Sequence, residues 1–219
     1  MQYKIRGTKV VSPYPVKLTP AEARLVFMLQ KYFVPERIFA DYFLPKDDKD
    51  GSLSEKVMVE TDLLQIDCLA VDRRGIFVFE SKDYAGWIYG HGDRAHWTQV
   101  LAYGKNKNQF YNPIRQNQAH ARAIRALCGD YPIYSVIVFG REATLKVLED
   151  MPKDCIICTQ AGLYNALDSL SNGEILTEDE VEEACQKLVR GRVSPSTRVR
   201  AEHVAEIENI VEFCEEKYD

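Results

Sequence analysis

A chain of 219 residues, 46% apolar and 11% aromatic, can bury a real core in one domain of common size with an extension. Its 28 basic and 33 acidic residues leave a formal charge of -5, which argues against a protein that coats nucleic acid by bulk attraction, so any polyanion contact must be local. No run approaches the ~20 apolar residues of a membrane span, and the first eighteen residues hold no apolar signal core with a small-residue cleavage site. The cytoplasm is the expected compartment, no membrane is expected as a partner, and the six cysteines are expected as reduced thiols rather than a disulfide framework.

Thr19-Pro20-Ala21-Glu22 is the first strong local signal: a threonine N-cap, a proline at the first helical position and a glutamate at the capping-box position. Leu25, Met28, Leu29 and Tyr32 follow at helical spacing, which predicts an amphipathic helix to about Phe33. Residues 37–45 read as a strand and residues 46–54, charged around Asp50-Gly51, as an exposed loop. Leu63 to Val71 and Gly75 to Phe79 are apolar, β-branched and aromatic runs on either side of Asp72-Arg73-Arg74-Gly75, the pattern of a hairpin. Gly86 to Gly90 and His96 to Tyr103 are expected as short strands. Residues 105–113, polar, basic and aromatic, fit a solvated loop or a surface that holds a nucleic-acid strand.

Asn112-Pro113 opens a second major helix with Ile114, Ala121, Ile124 and Leu127 as its apolar positions. Tyr134 to Phe139 and Cys155 to Thr159 are expected as buried strands of a mixed sheet, with a helical or irregular segment between them. Cys155-Ile-Ile-Cys158 has the spacing of a redox or metal pair, but no second Cys or His pair accompanies it, and strand packing is the simpler explanation. Ala161 to Leu170 reads as a short helix, and the polar break Ser171-Asn172-Gly173 ends the expected core. Thr177 to Glu180 is a second capping box, leading a helix with Val181, Ala184, Leu188 and Val189 on one face. Residues 196–218 carry Val204, Ile207, Val211 and Cys214 on a further stripe. The division that follows is an N-terminal extension over 1–18, a core over 19–172 and a C-terminal helical extension over 173–219. The stripes of that extension fit either the core or a second copy, as a homodimer contact.

The chemistry is concentrated in the hairpin. Side chains two apart on a strand share a face, so Gln65 and Asp67 are expected to point one way from the first strand, and Glu80 and Lys82 one way from the second. If those faces coincide, two carboxylates and an amine converge where charge is costly to bury unless it is paired or coordinates a cation. Hard carboxylate oxygens suit Mg²⁺ or Mn²⁺. The plainer alternative is an exposed strand end beside an edge aspartate. On the second helix, Gln116 and His120 are four apart and stacked on one face, with Arg115, Arg122 and Arg125 around it.

Gln65-Ile66-Asp67, the run Gly75 to Lys82, Tyr84-x-Gly86-x-Ile88-x-Gly90, Trp97 and Asn112-Pro113-x-x-Gln116-x-x-x-His120 together resemble the nuclease-related domain, NERD, over roughly residues 19–140. That family is similar to the restriction-endonuclease-like PD-(D/E)xK superfamily, although Leu-Leu-Gln-Ile precedes Asp67 and the signature survives only as Asp…Glu-x-Lys. The resemblance implies an α/β fold with a restriction-endonuclease-like mixed central sheet flanked by helices. It also implies a metal-dependent nuclease hydrolysing phosphodiester bonds in DNA or, as second choice, RNA. Asp67 and Glu80 would then bind Mg²⁺ or Mn²⁺, with the Ser81 carbonyl as a further ligand. Lys82 would give electrostatic support or orient water, and Gln116 and His120 would position the reacting groups from the facing helix. Glu22, which capping alone explains, matches a first-helix glutamate that can reach the metal site in the wider superfamily. The competing expectation is a non-catalytic nucleic-acid-binding or protein-interaction module on the same fold, since function lives in the site and not in the fold.

Overall fold

Strands β4 (Leu63–Asp72) and β5 (Gly75–Lys82) join through Arg73-Arg74 and lie inside a five-stranded sheet of order β11-β9-β5-β4-β3. Its other members are β3 (Ile38–Pro45), β9 (Ile133–Phe139) and β11 (Cys155–Thr159). The computed structural model describes residues 2–5, 8–11, 17–45, 63–101, 104–170, 173 and 175–193, the first two ranges as backbone strands alone. Those two, β1 (Gln2–Ile5) and β2 (Thr8–Val11), form a separate antiparallel pair beside β3. In the main sheet β3, β4 and β5 are antiparallel neighbours, whereas β9 and β11 run parallel to β5.

Both faces of this sheet are covered, which is why its central strands read as unbroken apolar runs. On one face α1 (Pro20–Leu29) sets Leu25, Val26 and Leu29 against Ala40, Cys68, Ala70, Phe77 and Phe79, and α3 (Leu163–Asp168) adds Leu163 and Leu167. On the other, α2 (Pro113–Cys128) and α4 (Glu178–Gly191) cover Phe39, Leu69, Val71, Ile76 and Val78. The expected capping boxes start α1 and α4: Thr19 and Thr177 each accept from the amide three residues on, and Glu22 and Glu180 each accept from the cap amide at 2.7 Å. The family-type fold is therefore present as expected, a mixed α/β core flanked by helices.

A second sheet of order β10-β6-β7-β8 packs against the first. It comprises β6 (Gly86–His91), β7 (His96–Leu101), β8 (Asn106–Tyr111) and β10 (Ala143–Glu149). Two of its strands depart from expectation. Residues 105–113 are not a loop, because β8 is an edge strand that buries Phe110 alone and docks that ring 4.3 Å from Tyr84. The segment between β9 and β11 is not helical or irregular, because β10 pairs parallel with β6 at the opposite edge. Each of these two strands buries one face at most, so neither shows the apolar run of a strand covered on both sides.

Cys155 and Cys158, three apart on β11, fall on opposite sides of the sheet in different core clusters, so they pack and do not pair. The helix beyond the polar break also belongs to the packed body: Val181, Ala184, Cys185 and Leu188 are buried beneath α2, and the Tyr42 hydroxyl donates to the Leu188 carbonyl at 2.8 Å. The apolar stripe of α4 therefore faces the chain's own core rather than a second copy, which corrects the expected homodimer contact there. The other expected stripe, Val204 to Cys214, lies outside the described residues. Among the described residues no helix is long and apolar enough to cross a membrane.

The hairpin turn is anchored by Arg74, only 8% exposed. Its guanidinium bonds Asp72 through Nη2 at 2.5 Å and Nε at 3.0 Å, donates through Nη1 to the Leu167 carbonyl at 2.9 Å and the Tyr32 hydroxyl at 3.2 Å, and lies 4.9 Å from the Phe77 ring centroid. One side chain thus ties the hairpin to α3 and to the end of α1. Gly75 follows because any Cβ there would meet the Pro132 carbonyl oxygen at 2.3 Å. Arg74→Ala leaves the partly exposed Asp72, the buried Leu167 carbonyl and the Tyr32 hydroxyl without their partner and is expected to cost about 1.5–3 kcal/mol in urea denaturation. A loss below about 1 kcal/mol would show the anchor to be dispensable.

Candidate active site

Strands β4 and β5 are paired from Asp72 opposite Gly75 to Cys68 opposite Phe79, and no further. Beyond that point β4 stays paired with β3 as far as Leu63, and β5 stays paired with β9 as far as Lys82. The two strands therefore fork, and the next residue on each prong is a carboxylate, Asp67 or Glu80. Asp67 closes the fork itself: its Oδ2 accepts the Ser81 amide at 2.7 Å, in place of the ladder carbonyl that the divergence removes.

Side-chain alternation slips at the same place. Cys68 and Ala70 face α1 while Leu69 and Val71 face α2, yet Ile66 lies in the α2 layer with Leu69. On β3 the slip falls opposite: Phe39 and Tyr42 share the α2 layer, and Asp41 between them has φ 50°, in the left-handed region. The period of two that puts Gln65 and Asp67 on one face does not run through Asp67. Gln65 instead donates through Nε2 to Asp41 Oδ1 at 2.9 Å.

On β5 the expected period holds. Glu80 and Lys82 both reach toward α2, with Lys82 Nζ 2.8 Å from Glu80 Oε1 and donating to Gln116 Oε1 at 2.9 Å. Glu80, 2% exposed, has its Oε2 3.5 Å from His120 Nδ1 and in no hydrogen bond among the described residues. Gln116 and His120 are presented one turn apart by α2, whose position is fixed from both sheets. Asn117 Nδ2 donates to the Val78 carbonyl and Ser135 Oγ, each at 2.9 Å. Asn112 caps the helix by accepting from the Ile114 amide while its Nδ2 donates to the carbonyls of Gly92 and Arg94. Glu22 approaches from α1 on the other face, where it is bonded to Thr19 as a cap and also adds to the charge felt by Asp67.

The electrostatics are those of an acidic pocket with one amine. Burial pushes the Asp67 carboxyl well above the usual range, and the charges of Glu80 and Glu22 push it further than the Ser81 amide and Lys82 bring it back. Glu22 is raised in the same way, by burial first and with Asp41 and Glu80 adding. Burial alone would lower Lys82, but the Glu80 and Asp67 carboxylates outweigh it and hold the amine above its ordinary value, so it is a cation at neutral pH. Among the described residues no three His, Cys, Asp or Glu side chains already stand at metal-holding distance.

Asp41 was not singled out from the sequence. It is 2% exposed, accepts from the Lys17 amide at 3.1 Å as well as from Gln65, and has its own carbonyl bound by the Arg192 guanidinium at 2.9 Å. Its signal was a lone acid in the apolar strand IFADYFLP, where a charge persists only if it is bonded.

A helix-covered mixed sheet with an aspartate and a Glu-x-Lys at the fork of two inner strands is a restriction-endonuclease-like arrangement. Residues 17–140 match the nuclease-related domain, and the chain belongs to that family, NERD. It is also similar to an uncharacterised protein of Bacillus anthracis, 31% identical over 167 residues that span 74% of this chain and 77% of that one. No solved structure matches it significantly.

Because the folded-state pKa of Asp67 lies above its unfolded value, the native protein binds that proton more tightly than the unfolded chain does. Its contribution to stability is full below the ordinary carboxylate pKa of 3.8 and is lost as pH rises through the folded value. In thermal melts without added metal, Asp67→Asn should therefore be more stable than wild type at neutral pH, the gap closing as pH falls toward 3.8. A variant less stable than wild type at neutral pH would contradict this.

Proposed function

We propose that the protein is a cytoplasmic nuclease that hydrolyses phosphodiester bonds in DNA, with one or two Mg²⁺ or Mn²⁺ ions held by Asp67 and Glu80. The observation that carries this is the convergence, at one strand fork, of Asp67, Glu80 and Lys82 with Gln116 from the facing helix. The donor set suits a hard divalent cation: Glu80 Oε2 is buried and in no hydrogen bond among the described residues, and the acidic groups around Asp67 outnumber the one lysine. Ser81 supports the same placement. Along a strand the N–H and C=O of one residue point to the same side, so a Ser81 amide aimed at Asp67 carries its carbonyl into the fork as well.

Such an ion, when bound, supplies positive charge against the phosphate and an acidified water. Lys82 stays protonated beside its carboxylates, so its task is to donate to a phosphate oxygen or to orient the attacking water, and general base is the weaker assignment. Gln116 accepts from Lys82 Nζ through its side-chain carbonyl, and His120, its Nδ1 3.5 Å from Glu80 Oε2, would help position the reacting groups. Glu22 adds a carboxyl from the opposite layer. An ion held by Glu80 would compete with Lys82 for that carboxylate, and an amine released from Oε1 would be free to turn toward the substrate.

The Glu80–Lys82 pair also favours a second reading: if that pair is the resting end state, the site is a neutralised cluster on a nucleic-acid-binding or protein-interaction module. Incubation with labelled linear, circular and single-stranded DNA, with and without Mg²⁺ or Mn²⁺, separates the two. Wild type is expected to cleave only with metal, and Lys82→Ala to lose about 10²–10³-fold in rate while still binding the ion. A wild-type protein that cuts none of the three substrates with either metal would leave the binding module in place.

A further inference from the structure

We infer that the outer face of the four-stranded sheet is a stacking platform for single-stranded nucleic acid that leads into the strand fork, a step that rests on nucleic acid being the substrate. Ile88, Trp97, Phe110 and Ala143 point from this sheet into the core. By alternation Trp87, Tyr89, Lys107 and Tyr111 stand on the opposite face. The register aligns them in rows: Trp87 is across from Val100 and Val100 from Lys107, while Tyr89 is across from Thr98 and Thr98 from Gln109.

Among the described residues this face is exposed at its edges, with Val100 buried between Trp87 and Lys107, and it carries the charge that a polyanion needs. Tyr111 is 52% exposed, Lys107 and Lys146 are exposed, and Trp87 and Tyr89 are half-buried. The Lys146 ammonium lies 4.9 Å from the Trp87 ring centroid, so a cation and an aromatic plane are already paired at one spot. The whole chain carries a formal charge of -5, yet among the described strand residues of this sheet the charged side chains are Lys107 and Lys146, until Glu149 at the end of β10. Trp87 and Tyr89, two apart on one strand, are spaced by roughly 7 Å, a step that an extended single strand with splayed bases can follow. Bases locked inside a duplex cannot stack on such rings, which selects a single strand.

The platform also adjoins the proposed site. Lys82 ends β5 and Gly86 begins β6, so at most about 14 Å of chain separates them. Tyr84, within that link, stacks on Phe110, and Gln99 on β7 donates to the Ala85 carbonyl at 2.9 Å, so the core side of the sheet holds the short link that leaves the fork.

The test uses the chain's own fluorescence. Of its two tryptophans Trp97 is 1% exposed and stacked on Phe139, so quenching by a bound strand reports Trp87. The full-length protein in EDTA at low salt is titrated with oligo-dT of about twenty nucleotides and with a duplex of equal length. Oligo-dT is expected to quench and the duplex to quench much less. By fluorescence anisotropy, Tyr89→Ala, Tyr111→Ala and Trp87→Ala should each weaken oligo-dT binding by about 5- to 150-fold, while Trp87→Phe, which keeps an aromatic face, binds near wild type. Lys107→Ala should flatten the salt dependence by roughly 0.7 in log–log slope. Binding that leaves Trp87 unquenched, or aromatic variants that fold and bind like wild type, would place the strand elsewhere and overturn the platform. A tryptophan signal that changes with protein concentration and ignores oligo-dT would give the face to a second copy. Since no metal is present and no cleavage is read, a protein that quenches and binds without ever cutting would sink the nuclease proposal alone.

Discussion

The bond from the Ser81 amide to Asp67 Oδ2 is what the site is built on. A sheet that opens between two inner strands exposes backbone groups in a region with little water to satisfy them, and an unbonded buried amide is costly. Here the opening is held by a carboxylate at 2.7 Å, which satisfies the amide and leaves an acidic residue fixed in the gap. The fork can exist because each prong has another partner: β4 has β3, and β5 has β9. Moving the fork by one residue would put Cys68 or Ile66 where the carboxylate stands.

A site at a fork draws on both faces of the sheet at once. Glu80 and Lys82 look toward α2 and meet Gln116 and His120, while Asp67 feels the charge of Glu22 from α1 on the other side. Each helix is held by bonds of its own, Asn112 and Asn117 for α2 and the Thr19–Glu22 box for α1. The resulting pocket is more acidic than one lysine offsets. That is a stability cost which a divalent cation would relieve, and it is the physical link between this geometry and the nuclease chemistry proposed for it.

Much of this was legible in the chain. The hairpin showed itself by two apolar runs around Arg73-Arg74, the helices by two capping boxes and Asn112-Pro113, and the spacing of Glu80 and Lys82 by strand period. What stayed hidden had physical causes. Strands β8 and β10 are sheet edges, and a one-sided strand such as NKNQFY has the composition of a loop. The slip at Asp41 and Asp67 breaks the period on which face assignment depends, so the residue of greatest interest on β4 was the one that alternation could not place. Asp41 belongs to no motif spacing, and a single acid in an apolar strand signals only that its charge must be bonded.

Lys82 is the pivot between the two accounts of the site, since the amine that a nuclease would turn on the phosphate now bonds one oxygen of the Glu80 carboxylate. The central claim is that the fork takes up a divalent cation through Asp67 and Glu80, and a thermal melt of the native protein with and without excess Mg²⁺ or Mn²⁺ tests it most directly. Wild type is predicted to gain roughly 1–3 kcal/mol when the ion is well above its dissociation constant, with most of that gain absent in Asp67→Asn and in Glu80→Gln. Identical responses to metal in wild type and both variants would contradict it.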